Sequence, residues 1–146
     1  MKEVKSVTST WFEVKVKVER TNEDGLTALV KEAYCVDAIS FTEAETRITK
    51  HLSDFVGEVV EEKIANYKEV LSRPDKEADK FYKCKIALLV QDKAKKTALY
   101  YLVNADNTAA AEKIVNDFYS NSTQIYEIVS IAETQVLELV VRHETR

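Results

Sequence analysis

Aromatic rings followed by lysines at two-residue spacing are the residues with the clearest chemical potential in this 146-residue chain. The pattern occurs once in each half of the chain and comprises Trp11, Lys15 and Lys17 in the first half and Phe81, Lys83 and Lys85 in the second. Because alternate side chains of a β-strand share a face, each ring lies on the same face as its lysines if these segments are strands. Stacking of a base on a ring contributes about 1–3 kcal/mol, and lysines attract phosphates, so single-stranded nucleic acid is the ligand that this chemistry suits. The pattern therefore predicts a binding face built from these six residues.

The same pattern is also compatible with two roles that involve no nucleic acid. Aromatic side chains at the start of a strand often fold over the sheet edge, and lysines alternating with apolar residues are typical of any half-buried strand, where they also discourage aggregation. Alternatively, the rings anchor another subunit. A second aromatic pair, Tyr100 and Tyr101, must divide between the two faces of its strand. One of these rings is therefore predicted to lie in the core and the other to be open to solvent or to a partner.

Period-two alternation identifies the strand and hairpin that carry the first pattern. The apolar positions of the first strand are Phe12, Val14, Val16 and Val18. Charged residues alternate with them, which is typical of a strand with one buried face. Residues 22–25 have the composition of a tight turn and end with Gly25, so a hairpin is predicted, with its second strand over about residues 29–38.

A capped helix is predicted to follow the hairpin. Ser40 and Glu43 have the spacing of a capping box, in which the serine accepts a hydrogen bond from a free backbone N–H and the glutamate reaches back. The apolar face of this helix is predicted to consist of Ala44, Ile48, Leu52 and Phe55. Gly57 is well placed to end the helix, and a third strand is predicted over residues 59–70.

The second half of the chain repeats this order. Strands are predicted over residues 82–91 and 96–105, and Asn107 can cap the next helix. The apolar face of that helix is predicted to consist of Ala111, Val115, Phe118 and Tyr119. Residues 124–141 are long for a single strand, so a bend or bulge is expected near residues 133–134.

The recurrence extends to the residues themselves. Residues 11–18 reappear in kind as residues 81–88, an offset of 70, and residues 33–38 reappear as residues 100–105, an offset of 67. A length change confined to a hairpin loop is typical of a tandem duplication, because loops absorb insertions and packed elements do not. We therefore predict an α+β fold made by tandem duplication of a β-β-α-β unit, with antiparallel sheets each covered by one helix.

The repeats set the predicted domain boundaries. Residues 1–71 form the first repeat, residues 72–80 form a polar linker that contains the only proline, and residues 81–146 form the second repeat. The two repeats are expected to pack as one compact domain. A three-stranded sheet leaves edges and one face to cover, so a homo-oligomer is also expected, and exchange of the repeats between chains stays open.

Composition narrows the class of protein. A hydrophobic fraction of 45% and a charged fraction of 32% indicate a globular protein, and a net charge of −4 argues against strong non-specific duplex binding. Cys35 and Cys84 lie among apolar strand residues and are predicted to be buried free thiols. No apolar run approaches the roughly 20 residues of a membrane span, and residues 1–10 lack the apolar centre of a signal peptide. We therefore expect a cytoplasmic protein without membrane partners.

Signatures of catalysis are scarce. His51 and His143 are too few and too far apart for a conventional zinc site, and the two glycines form no phosphate-binding loop. Glu61 and Glu62 are adjacent on a predicted strand, so they point to opposite faces and cannot converge on one bond of a substrate. We predict a protein that is not an enzyme, with no catalytic residues, no metal and no cofactor.

Three segments carry a resemblance to a known family. They are residues 11–16, residues 33–45 and residues 81–85, and the most specific part is the run Val-Asp-Ala-x-Ser-Phe-Thr-Glu-Ala-Glu at residues 36–45. Together they resemble an uncharacterised domain family found in Bacteroidetes and their tailed phages, over residues 11–132. The resemblance implies no catalytic residues. It implies a small accessory protein of phage or mobile-element origin.

Two functional hypotheses follow, together with a purely structural one. The first is a non-enzymatic accessory protein that binds single-stranded nucleic acid through the aromatic and lysine faces. The second is an oligomeric anti-defence or regulatory protein that sequesters a small nucleotide or blocks a host protein. The third is a structural interaction module. The acidic net charge favours the second and third, and the repeated aromatic–lysine pattern favours the first.

Overall fold

The computed structural model describes residues 4–52, 57–75, 77–89 and 96–141, and this part of the chain forms two helices and nine strands. The strands are β1 (Lys5–Val7), β2 (Trp11–Thr21), β3 (Thr27–Asp37), β4 (Gly57–Ala65), β5 (Tyr67–Ser72), β6 (Lys80–Leu89), β7 (Lys96–Ala105), β8 (Ile125–Glu133) and β9 (Val136–Val140). The helices are α1 (Phe41–His51) and α2 (Thr108–Tyr119). The predicted α+β class is confirmed. Residues 90–95, where the end of one predicted strand falls, lie outside the described residues.

The strands form two mixed sheets. One sheet has five strands in the order β1-β5-β7-β6-β8, and the other has four in the order β4-β2-β3-β9. The hairpins β2–β3 and β6–β7 are antiparallel, but β5 pairs with β7 and β9 pairs with β3 in parallel. The prediction of antiparallel sheets is therefore wrong in each sheet at one pair. The cause is an additional strand, which joins each sheet from a distant part of the chain.

Two long predicted strands are each divided in two, and this determines where the chain splits into units. The segment predicted as one strand over residues 59–70 is β4 and β5, separated at Asn66, and each belongs to a different sheet. The segment predicted as residues 124–141 is β8 and β9, separated at residues 134–135, next to the expected bend.

The chain consequently forms two compact units that are not consecutive in sequence. The five-stranded unit comprises residues 1–8 and 66–134, and the four-stranded unit comprises residues 9–65 and 135–146. The boundaries that the sequence predicts, at residues 71 and 80, follow the repeats instead. The difference arises because β5 and β9 each pair outside the stretch of chain that precedes them.

Helix α1 covers one face of the four-stranded sheet. The Ser40 hydroxyl accepts a hydrogen bond from the Glu43 backbone N–H at 3.1 Å, so the predicted cap is confirmed. Ala44 and Ile48 pack against the buried apolar residues of β2 and β3. The helix ends at His51, and Phe55 lies outside the described residues.

Gly57 has a different role from the predicted one. It begins β4 instead of ending the helix. A Cβ atom at this position would lie 1.8 Å from the Lys17 carbonyl oxygen, so only glycine permits this close approach of β4 to β2.

Helix α2 covers one face of the five-stranded sheet. The Asn107 side chain accepts from the Ala110 N–H at 2.8 Å, as predicted. The buried residues of the helix are Ala111, Ile114, Val115 and Tyr119, whereas Phe118, which was predicted to be buried, is half-buried. The Tyr101 and Tyr119 hydroxyls form a buried hydrogen bond of 2.7 Å.

The central strands of the two sheets have corresponding ladders. Strand β2 lies between β3 and β4, and β6 lies between β7 and β8, all antiparallel. A bulge interrupts each outer ladder, leaving Val60 as the extra residue of β4 and Val129 as the extra residue of β8. Residues of the two units can therefore be compared by their place in the ladders: Lys15 corresponds to Lys85, and Glu61 corresponds to Ser130.

Candidate functional site

The six residues of the predicted binding face lie on the faces of the sheets opposite the helices, which we call the outward faces. In β2 the residues Phe12, Val14 and Val16 pack in the core with α1, so the intervening residues point outward. The same holds in β6, where Tyr82, Cys84 and Ile86 pack in the core with α2. The outward residues are Trp11, Lys15 and Lys17 in the four-stranded unit and Phe81, Lys83 and Lys85 in the five-stranded unit.

The two rings that begin these faces are buried. Trp11 is 1% exposed and Phe81 is 7% exposed. The Trp11 indole Nε1 is buried and has no hydrogen-bond partner among the described residues. A base cannot stack on a ring whose faces are already covered, so these two rings do not supply the aromatic part of the predicted binding face in this conformation.

A different ring lies beside the lysines of the five-stranded unit. The Lys83 ammonium lies 4.7 Å from the centroid of the Tyr100 ring, and Tyr100 is directly opposite Lys85 in the β6–β7 ladder. Tyr100 is half-buried, whereas Tyr101 is 2% exposed and part of the core. The prediction that one of the two tyrosines lies in the core is confirmed. We call the set Tyr100, Lys83 and Lys85 the tyrosine–lysine face.

One of the two outward lysines of the four-stranded unit, Lys15, is neutralised by a residue of the neighbouring strand. The Lys15 ammonium lies 3.3 Å from a Glu61 carboxylate oxygen. Glu13, two residues before Lys15, is matched in the same way by Lys63 at 3.8 Å. Such pairs reduce the attraction of this face for an anion, because each lysine already has a carboxylate beside it.

The corresponding positions of the five-stranded unit carry no charge. Lys85 is opposite Ser130, and Lys83 is opposite Ala132. Neither lysine forms an ion pair with any residue in the described part of the chain, and Lys83 is exposed. The two lysines therefore leave net positive charge at the tyrosine–lysine face. Sequence reasoning could have identified Tyr100 from its alternation with Tyr101. It could not have shown that uncharged residues lie opposite Lys83 and Lys85, because that requires the register of β8.

A cleft of about 510 Å³ lies on the outward side of the four-stranded unit. It lies beside the bulge of β4, and its lining residues are Lys15, Lys31, Glu32, Ala33, Val60, Glu61 and Gln135. Its charges are mixed. Glu32 receives hydrogen bonds from Arg20, with Nε to Oε2 at 3.0 Å, and from the Tyr34 hydroxyl at 2.9 Å.

The groups around Glu32 are held in defined ionisation states. The bond from Arg20 keeps the pKa of Glu32 below its ordinary value, and burial raises the pKa of Tyr34 to about 12. Glu32 therefore stays anionic at neutral pH. Lys31 is the exposed cation at the rim, and it has no ion pair within the described residues.

Glu61 and Glu62 point to opposite faces, as the sequence predicts. Glu61 lines the cleft, whereas the Glu62 carboxyl is hydrogen-bonded to Glu45 of α1 on the other side of the strand. Burial, the hydrogen bond and the charge of Glu45 raise the pKa of Glu62 to about 7. Glu62 is thus a carboxyl that titrates near neutrality, on the helix side of the sheet and away from the cleft.

The cysteines are buried and unreactive, and His51 already has a carboxylate partner. Cys35 and Cys84 are buried free thiols, as predicted, and burial raises the pKa of Cys84 to about 11, so neither is a ready nucleophile. The His51 Nε2 atom lies 2.9 Å from a Glu138 carboxylate oxygen, and His143 lies outside the described residues. Among the residues that the structure describes, no group of three or more His, Cys, Asp or Glu side chains could hold a metal ion. No helix in the same residues is long and apolar enough to cross a membrane.

Comparison with known proteins gives a family and no further relative. Residues 10–143 match the family model described as Domain of unknown function (DUF4494). No curated protein and no solved structure matches the chain.

Proposed function

Because the chain belongs to this family of unknown function, we propose a function from its side chains: it is a non-enzymatic accessory protein that binds single-stranded nucleic acid through the tyrosine–lysine face. The observation that carries the proposal is the position of Lys83 over the Tyr100 ring, with Lys85 opposite the same ring in the ladder. The origin in a phage or mobile element rests on the family resemblance drawn from residues 36–45.

The chemistry of this face suits a single strand better than a duplex. A half-buried tyrosine offers part of its ring to a base once the Lys83 ammonium, 4.7 Å from the ring centroid, moves from the ring to a phosphate. Stacking then contributes about 1–3 kcal/mol without selecting the base. Lys83 and Lys85 attract the phosphates on either side of a stacked base. The net charge of −4 opposes non-specific attachment to duplex DNA, whose binding depends on many phosphate contacts.

The lysines without ion pairs also support binding at the tyrosine–lysine face. Each outward lysine of the five-stranded unit is opposite an uncharged residue, Ser130 or Ala132. In the four-stranded unit, Lys15 lies beside Glu61 instead. Of the six residues predicted from the sequence, we therefore keep Lys83 and Lys85 in the binding face, add Tyr100 to it, and give Trp11 and Phe81 a packing role.

Fluorescence anisotropy of a labelled, mixed-sequence single-stranded oligonucleotide tests the proposal. We expect affinity to fall as salt rises, and Tyr100→Ala to weaken binding by about 1–3 kcal/mol, the contribution of one stacked base. The double substitution K83A/K85A is expected to lower the slope of log affinity against log salt by about 1.4, because each phosphate contact to a single strand contributes about 0.7. The matched control, K15A/K17A on the other unit, is expected to leave binding unchanged. Binding that is absent at low salt, or equal in wild type and K83A/K85A, would overturn the proposal.

The cleft of the four-stranded unit supports a second candidate function, the sequestration of a small nucleotide by a regulatory or anti-defence protein. A volume of about 510 Å³ is within the range of small-molecule sites, and Lys31 at the rim and Lys15 inside offer two cations to a phosphate. The phosphate would have to displace Glu61 from Lys15.

Calorimetric titration with nucleoside monophosphates and cyclic dinucleotides tests this candidate. We expect salt-tolerant binding that is lost in K15A/K31A and retained in K83A/K85A, the reverse of the pattern for the oligonucleotide. Heat of binding that is unchanged in K15A/K31A would place the ligand elsewhere. If neither anion binds, blocking of a host protein becomes the candidate to test.

We also propose that the two units derive from one duplicated element. Its support is the shared order of strand, strand, helix and strand, the two matched bulges, and the helix caps at Ser40 and Asn107. The structure suggests a longer repeat than β-β-α-β, because β5 after β4 and β9 after β8 extend it by one strand, each of which pairs in the other sheet.

A further inference from the structure

The ion pair of Lys15 and Glu61 presents a hydrogen-bond donor and an acceptor side by side in the cleft of the four-stranded unit. The Lys15 ammonium lies 3.3 Å from Glu61 Oε2. The other carboxylate oxygen, Oε1, has no hydrogen bond to any residue in the described part of the chain, and the Glu61 side chain is half-exposed. A ligand in the cleft can therefore accept from Lys15 and donate to Glu61 without separating the two charges.

Lys31 supplies a positive charge at the rim of the same cleft. In the ladders Lys31 is opposite Lys17, and Lys17 is opposite Glu58, so this row of three residues holds two lysines and one carboxylate. Lys31 is exposed and forms no ion pair within the described residues. The carboxylate of Glu32, which also lines the cleft, is already matched by Arg20. The rim at Lys31 therefore suits an anionic group.

The separation of these two polar places suits a nucleoside monophosphate. Glu61, Lys15 and Ala33 form one row across β4, β2 and β3, and Lys31 lies two residues from Ala33 along β3. Two strand spacings and two residues place the Cα atoms of Glu61 and Lys31 about 12 Å apart. Val60, which is exposed, and Ala33 also line the cleft and offer apolar surface to a flat ring. The cleft thus combines a donor–acceptor pair, an apolar surface and a separate cation, which match the edge of a base, its face and a phosphate.

The donor–acceptor pair favours one base over the others. The Watson–Crick edge of guanine has one acceptor, O6, followed by two adjacent N–H donors, on N1 and N2. Lys15 can donate to O6 while both N–H donors bind the Glu61 carboxylate, because each carboxylate oxygen has two lone pairs. Adenine, cytosine, uracil and hypoxanthine each offer this pair only one donor group. They therefore form one hydrogen bond fewer than guanine does.

We propose that the cleft of the four-stranded unit is a site for a guanine nucleotide, in which Lys15 and Glu61 bind the base edge and Lys31 binds the phosphate. The proposal rests on the second candidate function, the binding of a small nucleotide, and names the class of nucleotide. It also leaves the ion pair of Lys15 and Glu61 intact, because the base contacts that pair and the phosphate contacts Lys31 alone.

Calorimetric titration with the monophosphates of guanosine, inosine and adenosine tests the selection of the base. We expect guanosine monophosphate to bind about tenfold more tightly than the other two, since one hydrogen bond to a charged group distinguishes them. Glu61→Gln is expected to abolish this preference, because its amide replaces one acceptor oxygen by a donor. The matched control is Glu58→Gln, which removes a carboxylate of the same strand that does not line the cleft. This variant is expected to retain the preference.

Comparison of guanosine with guanosine monophosphate tests the position of the phosphate. Lys31→Ala is expected to lower the affinity for the monophosphate to that for guanosine, whereas K83A/K85A in the other unit is expected to change neither. If no nucleoside monophosphate binds the wild type, the second candidate function fails and this inference fails with it. If the three monophosphates bind equally, or if Glu61→Gln keeps the preference, nucleotide binding stands and the recognition of guanine is wrong. Unchanged binding of guanosine monophosphate to Lys31→Ala would also contradict the proposed site.

Discussion

The outward faces of the two units both carry an aromatic ring and lysines, but the residues beside the lysines differ in charge. Lys15 in the four-stranded unit lies 3.3 Å from a Glu61 oxygen, whereas Lys85, at the corresponding ladder position, is opposite Ser130. The strands that carry the lysines differ as well, because Glu13 of β2 corresponds to Lys83 of β6. The neighbouring edge strands, β4 and β8, add to the difference in charge. The charge that a sheet face offers to a ligand therefore depends on the cross-strand neighbours of its lysines as much as on the lysines themselves.

The same edge strands determine the charge of each outward face and the protection of each sheet edge. The carboxylates of β4 neutralise the lysine face and protect the edge at once. Strand β8 lacks most of them, so it leaves Lys83 and Lys85 uncompensated and leaves its own edge open. Anion binding is consequently expected in the five-stranded unit, and substitutions that exchange charges between β4 and β8 are expected to change it.

The largest expected effect separates packing rings from binding rings on the outward faces. Trp11 is 1% exposed, and its replacement by alanine is expected to lower the free energy of unfolding by about 3–5 kcal/mol, the usual range for a buried tryptophan. Tyr100→Ala is expected to cost much less stability, because the ring is half-buried. Urea unfolding followed by circular dichroism measures both. If Trp11→Ala unfolds like wild type, the ring is not a packing residue and the contrast with Tyr100 fails.

Exchanging the cross-strand partners of the lysines tests the comparison directly. Ser130→Glu places a carboxylate opposite Lys85, as Glu61 is beside Lys15, and is expected to weaken oligonucleotide binding about tenfold, or about 1.4 kcal/mol. The reverse change, Glu61→Ser, is expected to strengthen anion binding at the four-stranded unit. Anisotropy titrations at low salt measure both changes.

The control for this exchange is Ser130→Ala, which removes the hydroxyl without adding charge. It is expected to bind like wild type. If Ser130→Ala and Ser130→Glu weaken binding equally, the local shape of β8 matters and its charge does not.

The hydrogen bonds of two corresponding core tyrosines give an effect of about the same size. Tyr101 and Tyr34 occupy the same ladder position, but Tyr101 bonds the buried Tyr119 hydroxyl and Tyr34 donates to Glu32, which also receives Arg20. Tyr101→Phe is expected to cost about 1–2 kcal/mol, because the Tyr119 hydroxyl is left without its buried partner. Tyr34→Phe is expected to cost less, because Glu32 keeps Arg20. Thermal or urea unfolding measures the two variants, and equal costs would contradict this ranking.

The sequence predicted what is local. Alternation located β2 and β6, and side-chain chemistry located the helix caps at Ser40 and Asn107, because strand faces and N-caps depend on residues a few positions apart. The opposite orientations of Tyr100 and Tyr101 followed from the same period.

What depends on distant pairing could not be predicted. Nothing in residues 67–72 indicates that β5 leaves its preceding strand and pairs with β7, because both destinations suit the same apolar residues. The burial of Trp11 and Phe81 could not be predicted either, since an outward position predicts exposure only where nothing covers that face. The six predicted residues therefore lie on the outward faces that alternation indicated, but two of their rings are buried, and the residues opposite the lysines could not be predicted.

A final effect concerns a position where the units differ on their helix sides. Glu62 corresponds in the ladders to Ile131, and burial together with Glu45 raises the pKa of Glu62 from 4.5 to about 7. Between these pH values the folded protein binds more protons at this group than the unfolded chain does. The free energy of unfolding must therefore fall as pH rises through this window, and the loss is complete above about pH 7. Glu62→Ile is expected to remove this component, whereas Glu61→Gln, on the opposite face, is expected to retain it. Urea midpoints measured from pH 4.5 to pH 7 separate the two variants, and an unchanged pH dependence in Glu62→Ile would assign the proton to another group.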